Sequence, residues 1–216
     1  MKSINLMPMR VRVASELRKA ILAGEFKEGQ SLSLTELSKQ LGISRTPIRE
    51  AFQTLAEEGF IELRMNKHAL VLGIDLKFIQ DHYRMRILLE GEAAFCAANN
   101  NMDTGEIAEI TRNIKNKLPG VAPEEFADYN QRFHTIIWES ADNQRLYSFL
   151  MSLWNGASKG KAVSNMDHFN RSIYEHEQII SAIAGHQAEQ SQQFMHKHVS
   201  RGLENMLRSY QLPRNP

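Results

Sequence analysis

The N-terminal third of the chain mixes helical and strand patterns of apolar residues. Apolar positions recur at helical spacing in three short segments, residues 11–23, 35–41 and 45–58. Next come two apolar runs, FIELR and ALVLGI. The short stretch of residues 65–68 between them indicates the turn of a β-hairpin. The order helix, helix, tight turn, helix and hairpin predicts a winged helix-turn-helix domain over residues 1–74.

From Asp75 onward the strand patterns stop and the helical pattern continues. Segments with an apolar stripe begin near residues 75, 103, 123, 144, 170 and 188. They predict a bundle of six or seven helices over residues 75–216. The predicted fold class is therefore mostly α, with a winged helix-turn-helix domain followed by an all-α helical bundle.

Composition narrows the class of protein without identifying it. The chain has 216 residues, a formal net charge of +1 and one cysteine, Cys96. A single cysteine excludes an internal disulfide framework, and no apolar run is long enough to span a bilayer. We therefore expect a cytoplasmic protein that does not bind membranes. Basic residues exceed acidic ones by three in residues 1–73 and fall short by two in the remainder, which is compatible with nucleic-acid binding by the first part only.

The third predicted helix presents a polar face that is separate from its apolar stripe. Arg45, Thr46, Arg49 and Gln53 share this face, and Ser44 stands at the N-cap position. An arginine fork can bind the O6 and N7 atoms of guanine, and a threonine hydroxyl at a helix N-terminus suits a phosphate. The alternative is a solvated pair of arginines on a surface helix. The complete winged-helix order favours DNA contact.

Three histidines lie on the predicted inward stripes of three different helices: His134, His176 and His198. Each could be a hydrogen-bonded core residue. Together they could instead bind a divalent metal, for which imidazole is a common ligand. Spacing alone does not decide between these interpretations.

The segment LSKQLGISRTPIREAFQTLAEEGFIE, preceded by RKAILAGEFKEGQSL, resembles the DNA-binding domain of GntR-type bacterial transcription regulators. Family members contact the operator through the residues that match Ser44, Arg45, Thr46 and Arg49. The sequence departs from the family pattern at Thr35, where some members have a DNA-contacting arginine, and at His68, where the wing tip usually carries glycine. Lys67 is the candidate for DNA contact from the wing.

Four later segments, RMRILLEGEAAFCAA, NQRFHTIIWESADN, YEHEQIISAI and FMHKHV, resemble the FCD effector domain of the FadR-like branch of that family. The resemblance implies four ligands for a metal, often zinc, with nickel or manganese as alternatives: Asn130, His134, His176 and His198. The family residue at position 130 is normally aspartate. Asparagine coordinates through a neutral oxygen, so a bound dication would keep a charge of +2 and an anionic effector would balance it.

Arg86 has two interpretations. It could hold the carboxylate of an effector end-on, because arginine binds carboxylates through two parallel hydrogen bonds. Alternatively, it could form an i,i+4 pair with Glu90, worth about 0.3–0.5 kcal/mol on a helix surface.

These patterns together predict a homodimeric, ligand-responsive transcription factor. Most members of the family that the chain resembles are repressors, so the resemblance implies a repressor. Its partners would be double-stranded operator DNA and a small carboxylate such as a sugar acid or hydroxy acid. One rival is a metal-dependent enzyme, but no acid stands beside the histidines as in His-Glu-x-x-His, and Glu175 points about a quarter-turn away from His176. The other rival is an effector-independent DNA-binding protein, which would need no pocket. We expect no enzymatic activity.

Overall fold

A computed structural model describes residues 8–22, 24–64, 68–157 and 166–211. The chain divides into two compact units, with a boundary between Asp75 and Leu76. Each unit has its own buried apolar core. Within the described ranges, no helix combines the length and apolar character needed to cross a bilayer.

The first unit combines three helices with a small sheet. Its elements are α1 (Met9–Leu22), β1 (Ser31–Ser33), α2 (Leu34–Leu41), α3 (Arg45–Glu57), β2 (Ile61–Arg64) and β3 (His68–Val71). The pairings are antiparallel, and β3 lies between β1 and β2. This is the predicted winged helix-turn-helix order with one addition. The sequence pattern does not predict β1, because its three residues offer a single apolar position, Leu32.

Local sequence determines where α2 begins and ends. The Ser33 hydroxyl accepts a hydrogen bond from the backbone N–H of Glu36 at 3.4 Å and caps the first turn. Gly42 ends the helix with a φ of 67°, which glycine adopts without a steric cost. After the tight turn, α3 buries an apolar stripe consisting of Ile48, Ala51, Phe52 and Leu55. The opposite face of α3 is thereby directed to solvent.

A buried ion pair fixes the end of α3 against α1. Arg18 donates from Nε and Nη2 to the two carboxylate oxygens of Glu58, at 2.8 and 2.6 Å. The Arg18 guanidinium also lies 5.9 Å from the centre of the Phe60 ring. Burial raises the pKa of Glu58 even beside this guanidinium. Because both bonds of the fork are made, the pair restricts how α3 can rotate on α1.

The second unit contains six helices within the described residues. They are α4 (Leu76–Asn99), α5 (Gly105–Asn116), α6 (Pro123–Ser140), α7 (Gln144–Ala157), α8 (Met166–Ala184) and α9 (Ala188–Gln211). The number agrees with the predicted bundle. The winged helix-turn-helix and the helical bundle together confirm the predicted fold class.

The first and last helices of the second unit pack along each other. The Ser191 hydroxyl of α9 donates to the backbone carbonyl of Ala94 in α4 at 3.0 Å. Gly91 of α4 lies so close to α9 that a Cβ atom at this position would be 2.1 Å from Nε2 of His196. The missing side chain at Gly91 therefore leaves the space that the His196 ring of α9 occupies.

Candidate functional site

The exposed face of α3 carries the residues predicted for DNA contact. All five are exposed: Ser44, Arg45, Thr46, Arg49 and Gln53. Ser44 occupies the N-cap position, but its side chain makes no capping hydrogen bond. Neither Arg45 nor Arg49 forms an ion pair within the described residues. This face can therefore contact an anionic partner without breaking an internal pair. Lys67, the predicted contact from the wing, lies outside the described residues.

Three buried imidazole rings, from α6, α8 and α9, meet inside the second unit. Nε2 of His134 and Nε2 of His176 each lie 3.3 Å from Nε2 of His198. One ring nitrogen of each residue lies within 4.8 Å of the other two. Two ligands about 2.0–2.1 Å from a tetrahedral zinc ion are separated by about 3.3 Å. The spacing of this histidine cluster therefore fits a shared divalent ion.

Each ring of the histidine cluster uses its other nitrogen, Nδ1, to contact a fixed oxygen. The three pairs are His134 with Glu90 Oε2 at 2.5 Å, His176 with Tyr129 Oη at 2.7 Å, and His198 with Glu175 Oε2 at 2.8 Å. Because an ionised carboxylate only accepts hydrogen bonds, it selects the tautomer with the proton on Nδ1 and a lone pair on Nε2. Such outer partners fix the orientation of metal-binding histidines.

Tyr129 can act in the same way as the two carboxylates. Its hydroxyl lies 3.2 Å from Thr111 Oγ1 as well as 2.7 Å from Nδ1 of His176. A phenol that donates to Thr111 keeps its oxygen lone pairs for the N–H of His176. All three Nε2 atoms can then present lone pairs to the same point.

Burial and local charge shift the pKa values of two histidines and two glutamates at this site. Burial lowers the pKa of His176 well below its ordinary value and lowers that of His198 to about 4, even with Glu175 beside it. Burial would raise the pKa of Glu90 and Glu175, but nearby arginines and histidines outweigh it and lower both to about 2. At neutral pH His176 and His198 are therefore neutral imidazoles, the protonation state that binds metals.

Each of these buried glutamates has an arginine as its counter-charge. Arg86 Nε donates to Glu90 Oε1 at 2.7 Å, and the Arg86 guanidinium lies 4.6 Å from the Trp154 ring. Arg201 Nε donates to both carboxylate oxygens of Glu175, at 2.7 and 2.9 Å. Of the two interpretations of Arg86, the structure contains the i,i+4 pair, and it is buried rather than on the surface.

A polar cleft of about 620 Å³ opens between α8 and α9. Its walls carry charges of both signs and include Glu175 and Arg201. Arg201 is held there by a second hydrogen bond, from Nη2 to the Ser172 hydroxyl at 2.9 Å. Glu175 therefore links the histidine cluster to an open groove.

Asn130, the remaining predicted ligand, is half-buried and lies one helical turn before His134 on α6. Residues four apart share a face of a helix, so both side chains leave α6 on the same side. Neutral imidazoles and an amide oxygen form a donor set that suits zinc or nickel, with manganese favoured more by oxygen ligands. The residues present therefore fit a divalent metal.

The sequence pattern identifies the histidines and misses the oxygens that orient them. It directs Glu175 away from His176, and in the structure Glu175 contacts His198 on the neighbouring helix instead. The sequence pattern predicts a partner for Glu90 in Arg86 but not in His134. The one available signal is that both glutamates are acids on otherwise apolar stripes, since buried acids are rare without partners. For Tyr129 we find no signal in the sequence.

Comparison with known proteins gives two family matches. Residues 9–71 match the bacterial regulatory proteins of the gntR family, and residues 81–201 match the FCD domain. The chain is 29% identical over 187 residues to the gluconate operon transcriptional repressor of Bacillus licheniformis. The matched region covers 80% of this chain and 74% of that protein.

Two solved structures share the fold. E. coli McbR/YncC has a TM-score of 0.76 and 19% identity, covering 95% of this chain and 100% of that one. The metal-free FCD domain of TM0439 has a TM-score of 0.55 and 18% identity, covering 64% of this chain and 97% of that one. At these identities the likeness concerns the fold alone.

Proposed function

This chain belongs to the GntR family of bacterial regulatory proteins and carries an FCD domain, and from that premise we propose that it is a homodimeric, cytoplasmic repressor whose operator binding responds to a small carboxylate. The family makes it a DNA-binding transcription regulator. The observation that carries the sensing part of the proposal is the histidine cluster, with three Nε2 atoms together and each Nδ1 held by an oxygen.

The proposed DNA contact uses the exposed face of α3. Arg45 and Arg49 are one helical turn apart, and α3 is held by its buried stripe and by the Arg18–Glu58 pair. We propose that the two arginines bind base edges in the major groove and that Ser44 and Thr46 contact phosphates. Gln53 extends this face by one turn, and we propose Lys67, outside the described residues, as the contact from the wing.

The test is a shift assay on the DNA that flanks the gene for this protein. Arg45→Ala and Arg49→Ala are each expected to weaken specific binding by about 1–3 kcal/mol, because a bidentate base contact is lost. Arg112→Ala, at an exposed position on α5, is the matched control and is expected to bind like wild type. Affinities within twofold of wild type for both α3 variants would reject the assignment.

The proposed homodimer follows from the DNA geometry and from exposed apolar side chains. One chain offers one recognition helix, and helix-turn-helix dimers bind half-sites about one DNA turn apart. Leu88 on α4 is 61% exposed, its neighbour Met85 is 48% exposed, and Phe149 on α7 is 65% exposed. Covering such residues in a self-complementary contact is favourable.

Sedimentation of wild type and Leu88→Glu tests the dimer. We expect wild type to be dimeric at micromolar concentration and Leu88→Glu to be monomeric, because a glutamate would be buried without a partner. Leu63→Glu, at an exposed position on β2, is the control and is expected to remain dimeric. A monomeric wild type, free and on DNA, would reject the homodimer.

We propose that the histidine cluster, with Asn130, holds a divalent ion and that the ion draws the effector. A bound ion would supply a centre of positive charge for a carboxylate oxygen. The two buried ion pairs, Arg86–Glu90 and Arg201–Glu175, cancel their own charges, so the site with a dication would keep a charge of +2. We therefore assign Arg86 to Glu90 and expect the ion, rather than this arginine, to attract the anion.

The relative from Bacillus licheniformis is named for a gluconate operon, which supports a sugar acid as the effector class. A catalytic role has less support, because Glu90 and Glu175 are committed to Nδ1 atoms and orient the rings, which leaves neither of them as a general base.

Elemental analysis of the purified protein and a thermal-shift screen test the sensing function. We expect bound zinc, nickel or manganese, loss of the ion in His176→Ala, and a rise in melting temperature with sugar acids that depends on the ion. Protein that carries no metal and takes up none when these ions are offered would reject the site.

A further inference from the structure

The only two tryptophans of the chain lie beside the histidine cluster. Trp138 of α6 and Trp154 of α7 have ring centres 6.1 and 4.9 Å from that of His134. The two indoles meet edge to face with their centres 5.5 Å apart. Their residues are only 1% and 4% exposed. They therefore form part of the interior next to the proposed metal.

Both indoles carry a hydrogen-bond donor that no described residue accepts. Neither Nε1 atom has an acceptor among the residues that the structure describes, although both atoms are buried. Buried tryptophan normally pairs its N–H, and a buried donor without a partner costs about 1–3 kcal/mol. Glu90, the carboxylate that pairs with the neighbouring His134, is already engaged by Arg86 and His134. Two such donors on neighbouring rings point to a ligand that supplies the acceptors.

We infer that Trp138 and Trp154 donate their indole N–H groups to hydroxyl oxygens of the effector, which is therefore a hydroxylated monocarboxylate. This inference rests on the proposed function, in which the carboxylate end of the effector is drawn to the metal. An indole N–H only donates, so each one needs an acceptor oxygen on the ligand within its reach. An unsubstituted aliphatic acid offers no acceptor beyond the two oxygens of its carboxylate, which the proposed ion attracts.

A hydroxyl fits these positions better than a second carboxylate does. The nearby cation, Arg86, is neutralised by Glu90, and the indoles themselves carry no charge. A second carboxylate placed there would meet only neutral donors and the charge of +1 that remains at the ion, and it would lose far more hydration than a hydroxyl does. A hydroxyl loses much less on burial and can still accept an N–H bond.

The test compares three acids of equal chain length on zinc-loaded protein by calorimetry: gluconate with hydroxyls, hexanoate without them, and adipate with a second carboxylate. We expect gluconate to bind tightest. Trp138→Phe and Trp154→Phe keep an aromatic ring and lose the N–H, so each is expected to weaken gluconate about three- to tenfold and to leave hexanoate unchanged. Tyr174→Phe, at a residue 60% exposed on α8, is the matched control.

Nuclear magnetic resonance of the wild-type protein gives a second measurement that no folding defect can obscure. Because the chain has two tryptophans, its ¹⁵N spectrum contains two indole N–H signals, one from each proposed donor. Both are expected to shift when gluconate is added and to exchange more slowly with water.

The outcomes separate this inference from the proposed function. Wild-type protein that binds none of the three acids would overturn both. Gluconate bound equally by wild type and both phenylalanine variants, with unmoved indole signals, would overturn only the role of the tryptophans. Adipate binding tighter than gluconate would overturn the hydroxyl assignment.

Discussion

Replacing Glu175 by glutamine tests whether an outer carboxylate controls the histidine cluster. Glu175 accepts from Nδ1 of His198 at 2.8 Å and from Nε of Arg201 at 2.7 and 2.9 Å. Glutamine has nearly the same shape and can still accept one of these bonds. It removes the negative charge, however, so His198 loses the partner that makes its Nε2 a stronger ligand.

The size of the effect follows from the pKa of Glu175, which is lowered from 4.5 to about 2. At about 1.4 kcal/mol for each pH unit, its surroundings favour the ionised form by about 3 kcal/mol. Arg201 and His198 both contribute to this preference against the cost of burial, so metal binding is expected to lose only the part that acts through His198. Loss of an outer partner typically weakens metal binding about 10- to 100-fold, or about 1.4–2.7 kcal/mol, and this is the loss that we expect.

Glu177→Gln is the matched control on the same helix. Glu177 pairs with Lys115 at 2.7 Å on the surface, where both side chains are about half exposed and such pairs contribute little. Both variants and wild type would be stripped of metal and titrated with zinc against a chromophoric chelator, with circular dichroism to verify folding. If Glu175→Gln binds zinc within twofold of wild type and of Glu177→Gln, the carboxylate does not tune the cluster.

Three further outcomes are expected. Asn130→Asp should bind zinc more tightly and gluconate more weakly, because the site charge falls from +2 to +1; calorimetry with both ligands measures this, and weaker zinc binding would contradict it. Gly91→Ala should lower the melting temperature, since its Cβ would lie 2.1 Å from Nε2 of His196. Adding His196→Ala to this variant should recover much of the loss. If the effects of the two substitutions on stability simply add, the two residues are not in contact. The free energy of unfolding of metal-free protein should fall by at least about 3 kcal/mol as pH drops from 6.5 to about 4, because the unfolded chain takes up protons at His198 and His176 that the folded chain resists. Denaturant titrations across this range measure it, and a flat profile would refute the argument.

The sequence was informative about elements and faces because these depend on local patterns. The buried stripe of α3 and the inward position of His134, His176 and His198 both follow from helical periodicity. β1 does not, because a three-residue strand becomes ordered only by pairing with β3, more than thirty residues later. Periodicity places a residue on one side of its own helix, but it does not tell which residues of a neighbouring helix contact that residue.

The partners of the histidines illustrate this limit. Glu175 and His198 are 23 positions apart, and Tyr129 and His176 are 47 apart. Contacts of that kind depend on how α6, α8 and α9 cross, which is set by the packing of their side chains. The family resemblance predicted that the three histidines meet at one site. It did not predict that two glutamates and a tyrosine contact their Nδ1 atoms.

The pairing of α4 with α9 also has a consequence during synthesis of the protein. The bond from Ser191 to Ala94 spans 97 positions, so the second unit cannot be completed until its last helix has left the ribosome. At about 5–20 residues per second, the chain after Asp75 takes about 7–28 s to be made. The helices and strands of the winged helix all lie before Leu72 and can form during that interval. Each nascent chain therefore exposes its winged helix, with the arginine face of α3, before its helical bundle is complete.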